Sequence, residues 1–193
     1  PMNGTYFYFS PNKGALRAGG DHSDAWINTN VGSYSAATGL NTMASGAYSM
    51  AAGYADTASG MNSASFGKES SSSGISSFSA GEHCRATKHS STALGFHSEA
   101  NGIYSLAHGY YATANGTGSK SMGHYTHSNG YAGFVVGYNN DTILSPQTAL
   151  TDESPMFIVG NGSALAPSNA MVVQYDGNVG IGANAPKSKF VLN

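Results

Sequence analysis

Glycine returns at every seventh residue from Gly32 to Gly137, filling fifteen of the sixteen positions on that grid, with Lys88 the one exception. A helix with this spacing would lose roughly 1 kcal/mol at each interior glycine. The residues between the glycines are equally regular. Three places after each glycine stand Ser35, Thr42, Ser49, Asp56, Ser63, Ser70, Ser77, Cys84, Ser91 and Ser98. Five places after stand Ala37, Ala44, Ala51, Ala58, Ser65, Ser72, Ser79, Ala86, Ala93 and Ala100. The unit is S-x-A-x-G, and small residues alternating with period two are a strand signal. A fixed internal period of this kind decides the fold before any single residue does.

The outer positions double the period to fourteen. The fourth and sixth places after alternate glycines hold Met50/Ala52, Ala64/Phe66, Phe78/Ala80, Thr92/Leu94, Leu106/His108, Lys120/Met122 and Phe134/Val136. After the other glycines the same places hold polar pairs such as Thr57/Ser59, Arg85/Thr87 and Glu99/Asn101. Each fourteen residues therefore predict one coil of two short strands. Ser and Ala point into a narrow interior, and Gly stands at the bends, where positive φ or close approach is needed. An interior of methyl-sized groups contributes about 0.8 kcal/mol per buried CH₂. That does not offset roughly 1–2 kcal/mol of backbone entropy per residue. The apolar outer strand needs a cover, and a symmetric oligomer supplies one. Its expected interface is Met50, Phe66, Phe78, Leu94, Leu106, His108, Met122, Phe134 and Val136.

Composition narrows the function. Charged residues are 9% of the 193, against about a quarter in an ordinary globular chain. A net charge of −2 gives no footprint for nucleic acid or an acidic membrane surface. No apolar run has the length of a membrane span, so direct membrane insertion is not expected. No basic-then-apolar leader opens the sequence. The single cysteine, Cys84, rules out an intrachain disulfide framework and any multi-cysteine zinc site.

The S-x-A-x-G half-repeats over residues 32–137 resemble the YadA-like heads of trimeric autotransporter adhesins, built from haemagglutinin/invasin-type repeats. Ala15-Leu16-Arg17-Ala18-Gly19 with Trp26 looks like the lead-in to such heads. The resemblance implies an all-β, left-handed parallel β-roll (a solenoid), a homotrimer about a common axis, and a role in attachment. Near the C-terminus, Gly177-Asn178-Val179-Gly180-Ile181-Gly182 followed by Pro186 and Lys189 resembles the stem of phage tail fibres and related trimeric surface fibres. The chain then reads as a piece of a longer fibre, extracellular on a bacterial surface or on a virion.

Four segments are expected. Residues 1–29 form an N-terminal cap in which Tyr6, Phe7, Tyr8, Phe9 and Trp26 cover the open end of the roll. Residues 30–139 form the roll, 140–155 a connecting loop, and 156–193 a short β-rich stem with strands at 157–160 and 171–175 and a hairpin signal at Asp176-Gly177.

Candidate ligand-binding residues lie in two columns. One runs Glu69, His83, His97, Tyr111 and Tyr125; its neighbour runs Tyr54, Lys68, Glu82, Phe96, Tyr110, His124 and Tyr138. The rings among them suit carbohydrate stacking or protein contact. Packing against an adjacent protomer is the competing reading. His83 and His97 repeat at one coil position, but a third ligand is missing, so no metal site is assigned. Lys120 falls on the axis-facing strand, where three copies would repel unless an anion lay between them or each snorkelled to solvent. Cys84 reads as a small interior filler. No cofactor is expected, and with no convergent acid/base set an enzyme is not expected either.

Three functions are weighed. The leading one is a fibre head attaching to a surface glycan or extracellular-matrix-type protein. The second is the receptor-binding segment of a phage-like tail fibre. The third is an ice-binding solenoid using Thr57/Ser59, Ser71/Ser73 and Thr113/Asn115, a rank interrupted by Arg85, Glu99 and His127.

Overall fold

The structure, a computed structural model, describes residues 4–193. The chain is all-β and divides into two compact units, residues 1–96 and 97–193, each carrying a stretch of parallel β-solenoid.

The first unit opens with an antiparallel hairpin, β1 (Gly4–Ser10) and β2 (Ala15–Asp21). A short 3₁₀ turn at Asn28–Asn30 follows. Five-residue and two-residue strands then alternate. The long ones are β3 (Ala36–Leu40), β5 (Met50–Tyr54), β7 (Ala64–Lys68), β9 (Phe78–Glu82) and β11 (Thr92–Phe96). The short ones are β4 (Met43–Ala44), β6 (Thr57–Ala58), β8 (Ser71–Ser72) and β10 (Arg85–Ala86). Long strands pair with long and short with short, all parallel. The register sets Met50 beside Ala64, Ala51 beside Ser65 and Gly53 beside Gly67.

Every Ser, Ala, Thr, Asp or Cys that the repeat directs inward is buried, from Ser35 and Ala37 to Ser98 and Ala100. Several serine hydroxyls return to their own turn, whereas the Thr42 hydroxyl, equally buried, has no partner among the described residues. Ser35 donates to the Gly32 carbonyl, Ser49 to Gly46, Ser63 to Gly60 and Ser77 to Gly74, each at 2.7 Å. A buried hydroxyl without a partner would cost about 1–3 kcal/mol, so this three-residue return is what lets serine line a core.

Alternate glycines from Gly39 to Gly137 carry positive φ and a close backbone approach, as the sequence predicts, and a second set of left-handed residues accompanies them. These stand two places after each glycine, whatever their type: Tyr48 has φ 58°, Ala55 54°, Glu69 54° and His83 55°. Such a conformation costs a bulky residue of order 1–2 kcal/mol. It is held by bonds such as Tyr48 N–H to the Ser33 carbonyl at 2.8 Å and Asn62 N–H to the Ala47 carbonyl at 2.9 Å. At the glycines themselves the two predicted requirements coincide. At Gly67, φ is +124°, and a Cβ would land on the Gly81 carbonyl of the next strand.

One expectation needs correction, the aromatic cap. Phe7 and Phe9 are exposed, 80% and 55%, and only Trp26 of that group is buried, its indole N–H donating to the Thr42 carbonyl at 2.7 Å. What closes the interior is Arg17, fully buried beside Ala37. Its guanidinium donates to the Ser35 hydroxyl at 2.9 Å and to the Ala44 carbonyl at 3.0 Å, and burial pulls its pKa down to about 10. On its other side the neighbouring strand is the antiparallel β1, with Tyr8 opposite Arg17, and not another coil of the repeat.

The second unit continues the alternation with β12 (Glu99–Ala100), β13 (Leu106–Tyr110), β14 (Thr113–Ala114), β15 (Lys120–His124), β16 (His127–Ser128) and β17 (Phe134–Tyr138). After a strandless stretch, β18 (Pro155–Asn161) pairs parallel with β17. It is followed by β19 (Asn169–Gln174), β20 (Val179–Ile181) and β21 (Phe190–Leu192). The β18–β19 and β19–β20 pairs are antiparallel, the latter about the Asp176-Gly177 turn, and β20–β21 is parallel. The small-residue interior gives way here to Val135, Ile158 and Val172, with Ile143 packed against them. The edge of β16 is closed by one side chain. The Asn140 amide accepts the His127 N–H at 2.7 Å and donates to the His127 carbonyl at 3.1 Å, replacing a paired strand.

Candidate functional site

The predicted columns form one corner of the solenoid in each unit. Strand neighbours sit about 4.8 Å apart, close to the thickness of a stacked ring pair, so like residues at one coil position are forced into register. In the first unit the corner is mostly charged. Lys68 Nζ meets Glu82 Oε1 at 2.7 Å, and His83 Nδ1 meets Glu69 Oε2 at 3.2 Å. The Glu82 carboxylate raises the Lys68 amine above its ordinary pKa. His83 stands edge-on to Phe96 with centroids 6.5 Å apart. Tyr54 is not part of a ring cluster; its ladder neighbour is Lys68.

In the second unit the same corner is a double aromatic ladder. His97 stacks on Tyr111 at 4.7 Å, and Tyr111 on Tyr125 at 5.3 Å. Beside them Tyr110 stacks on His124 at 4.5 Å, and His124 on Tyr138 at 4.9 Å. The two columns interlock edge-to-face, Tyr110 against Tyr111 at 4.8 Å and His124 against Tyr125 at 4.8 Å. The inner rings spend their faces on one another, so ring edges and polar tips are what this corner presents. The inner rings therefore keep no free face. Desolvation, with Tyr110 and Tyr111 adding to it, raises the Tyr125 phenol above its ordinary pKa. His124 Nδ1 is buried and unpartnered among the described residues.

The expected interface residues lie on the outer face of the long strands. In the first unit one row runs Phe9, Leu16, Ala36, Met50, Ala64, Phe78, Thr92, and the next runs Phe7, Ala18, Thr38, Ala52, Phe66, Ala80, Leu94. From Met50/Ala52 on, the large residue alternates between the rows. In the second unit Leu106, Lys120, Phe134, Phe157, Val173 and Val179 lie along one row, and His108, Met122, Val136, Val159, Met171 and Ile181 along the other. Lys120 and His108 are exposed, and Met50 is 42% exposed.

Sequence reading missed two features. Phe7 and Phe9 extend the apolar rows instead of plugging an end; their alternation with Tyr6 and Tyr8 was the available signal. A second corner carries Tyr34 and Tyr48, 67% and 59% exposed and stacked at 5.5 Å, with exposed Met61 and Ile75 farther along. Counting from the other set of glycines would have found it.

No protein-family model matches this chain, and no curated protein matches it. No helix among the described residues is long and apolar enough to cross a membrane.

Proposed function

We propose that the chain is a non-enzymatic fibre head: a left-handed β-roll of fourteen-residue coils, three chains about a common axis, displayed outside a bacterial cell and attaching it to a surface ligand. The observation that carries this is the apolar outer face of the long strands. A fold whose interior holds mainly Ser and Ala cannot rest on that interior alone. The large/small alternation of Met50/Ala52, Ala64/Phe66 and Phe78/Ala80 offers a complementary surface to copies of itself. The repeat's resemblance to YadA-like heads supports three chains over two. Lys120 then lies near the axis in triplicate, and an anion between the three ammonium groups would relieve their repulsion.

Ligand contact falls to the corner residues Tyr54, His83, Phe96, His97, Tyr110, Tyr111, His124 and Tyr125. With inner ring faces occupied, a hydrogen-bonding glycan edge or a matrix-type protein surface suits them better than a flat sugar face. The test is the solution mass by light scattering, followed by glycan and matrix-protein binding screens. Three chains of 19.7 kDa give about 59 kDa; a stable single chain overturns the trimer, and no bound ligand class overturns the attachment reading.

A second reading, the receptor-binding segment of a phage-type tail fibre, is favoured by the mixed β18–β21 sheet that follows the solenoid. Binding to purified bacterial envelope instead of host glycans or matrix would select it.

A further inference from the structure

Asn-Gly occurs at the same place in three successive coils, as Asn101-Gly102, Asn115-Gly116 and Asn129-Gly130. The three side chains form an amide ladder. Asn101 Nδ2 donates to Asn115 Oδ1 at 3.2 Å, and Asn115 Nδ2 to Asn129 Oδ1 at 2.7 Å. Asn129 is the last rung, and its own Nδ2 has no acceptor among the described residues. Of the three glycine amides only that of Gly102 has an acceptor among the described residues. Gly102 N–H is held by the Ala114 carbonyl and the Ser105 hydroxyl, both at 3.2 Å. The equivalent acceptor for Gly130 would be the carbonyl of Thr142, in the stretch that leaves the solenoid, and among the described residues nothing takes the Gly130 N–H.

We propose that Asn129-Gly130 is a spontaneous modification site, where the asparagine converts through a cyclic imide to aspartate and isoaspartate. The Gly130 nitrogen attacks Asn129 Cγ and gives up its proton; the Cγ–Nδ2 bond breaks and ammonia leaves. Water then opens the five-membered imide at either carbonyl, leaving aspartate or an isoaspartyl link. The reaction needs no oxidant or enzyme. It needs a free backbone nitrogen and a side-chain amide able to turn. Both are held at Asn101-Gly102; at Asn115 the side chain is held at both ends, by Asn101 at Oδ1 and Asn129 at Nδ2, although Gly116 N–H has no acceptor among the described residues; Asn129 is held at Oδ1 alone. Asn161-Gly162 is restrained too, because Gly162 N–H donates to the Tyr138 carbonyl at 3.0 Å and Asn161 Oδ1 accepts the Ser168 hydroxyl at 2.8 Å. The isoaspartyl product adds a methylene to the backbone at the end of the ladder and removes the amide that receives the Asn115 bond.

The experiment is peptide mapping by tandem mass spectrometry of the full chain, incubated folded at mildly alkaline pH, with isoaspartyl methyltransferase labelling as a second readout. Acid at position 129 is expected to accumulate severalfold faster than at 101, 115 or 161. In denaturant the four sites should converge, since all share the Asn-Gly dipeptide. Asn129→Gln should abolish the labelling at that position in the folded protein. Equal rates at 101, 115 and 129 in the folded chain, or no acid at 129, would overturn the proposal. Asn3-Gly4 is scored separately, because Asn3 lies outside the described residues.

Discussion

The Asp56 carboxylate accepts the backbone N–H of Ser70 at 2.9 Å, fully buried in a column whose other members are neutral. Its second oxygen has no partner among the described residues. Burial pushes its pKa up from 3.8 to about 6, and the backbone donors of Ser70, Gly67 and Tyr54 only partly oppose this.

The folded chain therefore holds a proton on Asp56 that the unfolded chain releases. Its contribution to stability is greatest below pH 3.8 and is lost as pH rises through about 6. Replacing it with the repeat's own residue, Asp56→Ser, removes that slope. We expect a gain of about 1–3 kcal/mol at pH 7.5, from relief of an unsatisfied buried acceptor. Denaturant melts at pH 4.5 and 7.5 check this, and a variant equally or less stable at both pH values contradicts it.

Two glycines with positive φ should respond very differently to alanine. Gly67→Ala places a Cβ on the Gly81 carbonyl at φ +124° and should cost at least ~4 kcal/mol. Gly118 has φ +69°, but its nearest neighbour to an added Cβ is the Ala132 Cα at 3.8 Å. Tyr104 and Ala132 already hold side chains at that bend. Gly118→Ala should change stability by less than about 1 kcal/mol. Thermal unfolding of both variants separates close approach from backbone conformation as the reason for each glycine.

Phe78→Asp puts a carboxylate on the apolar rows. In a trimer it gathers three like charges near the axis, and the chain should leave gel filtration as a monomer. An unchanged trimer by light scattering means that this face is not the interface. Phe7→Ser with Phe9→Ser should weaken the same assembly without touching the interior, which concentration-dependent dissociation measures.

Removing the central rung of one aromatic column tests whether the ladder is a stabilising element. Tyr111→Ala breaks contacts with His97, Tyr110 and Tyr125 and should cost about 1–3 kcal/mol. Tyr125→Phe keeps the stack but deletes the phenol that burial and its neighbours hold up. A spectrophotometric titration should lose its most alkaline tyrosine step while the melting temperature stays nearly unchanged.

The repeat made the interior legible. Ser35, Ala37 and their successors were assigned inward from glycine spacing alone, and all are buried, because a strand permits two faces and the small one must face the narrow side. The two corner columns were also readable as columns. That their rings would consume one another's faces was not, since it depends on rotamers at a fixed rung spacing. Arg17 was legible only as part of the lead-in, not as an interior residue, because a cation in a small-residue column has no precedent within the repeat; it bonds the Ser35 hydroxyl and shares the Ser35 and Ala44 carbonyls with backbone N–H donors. The second left-handed position was not legible because glycine, the usual residue for positive φ, stands two places before it and meets that requirement itself at alternate turns. Tyr48 and His83 give no sign in their identity that they adopt that conformation.

The hydroxyl return seen at Ser49 and Gly46, or Ser63 and Gly60, closes within three residues of the same turn. Nothing in that bond specifies which turn comes next. Rungs of this kind are interchangeable cassettes, and a gene that duplicates or deletes one alters reach without redesigning a core. Identity resides on the outside, in the rings and charges that vary from rung to rung, so such a chain can evolve its length and its recognition separately.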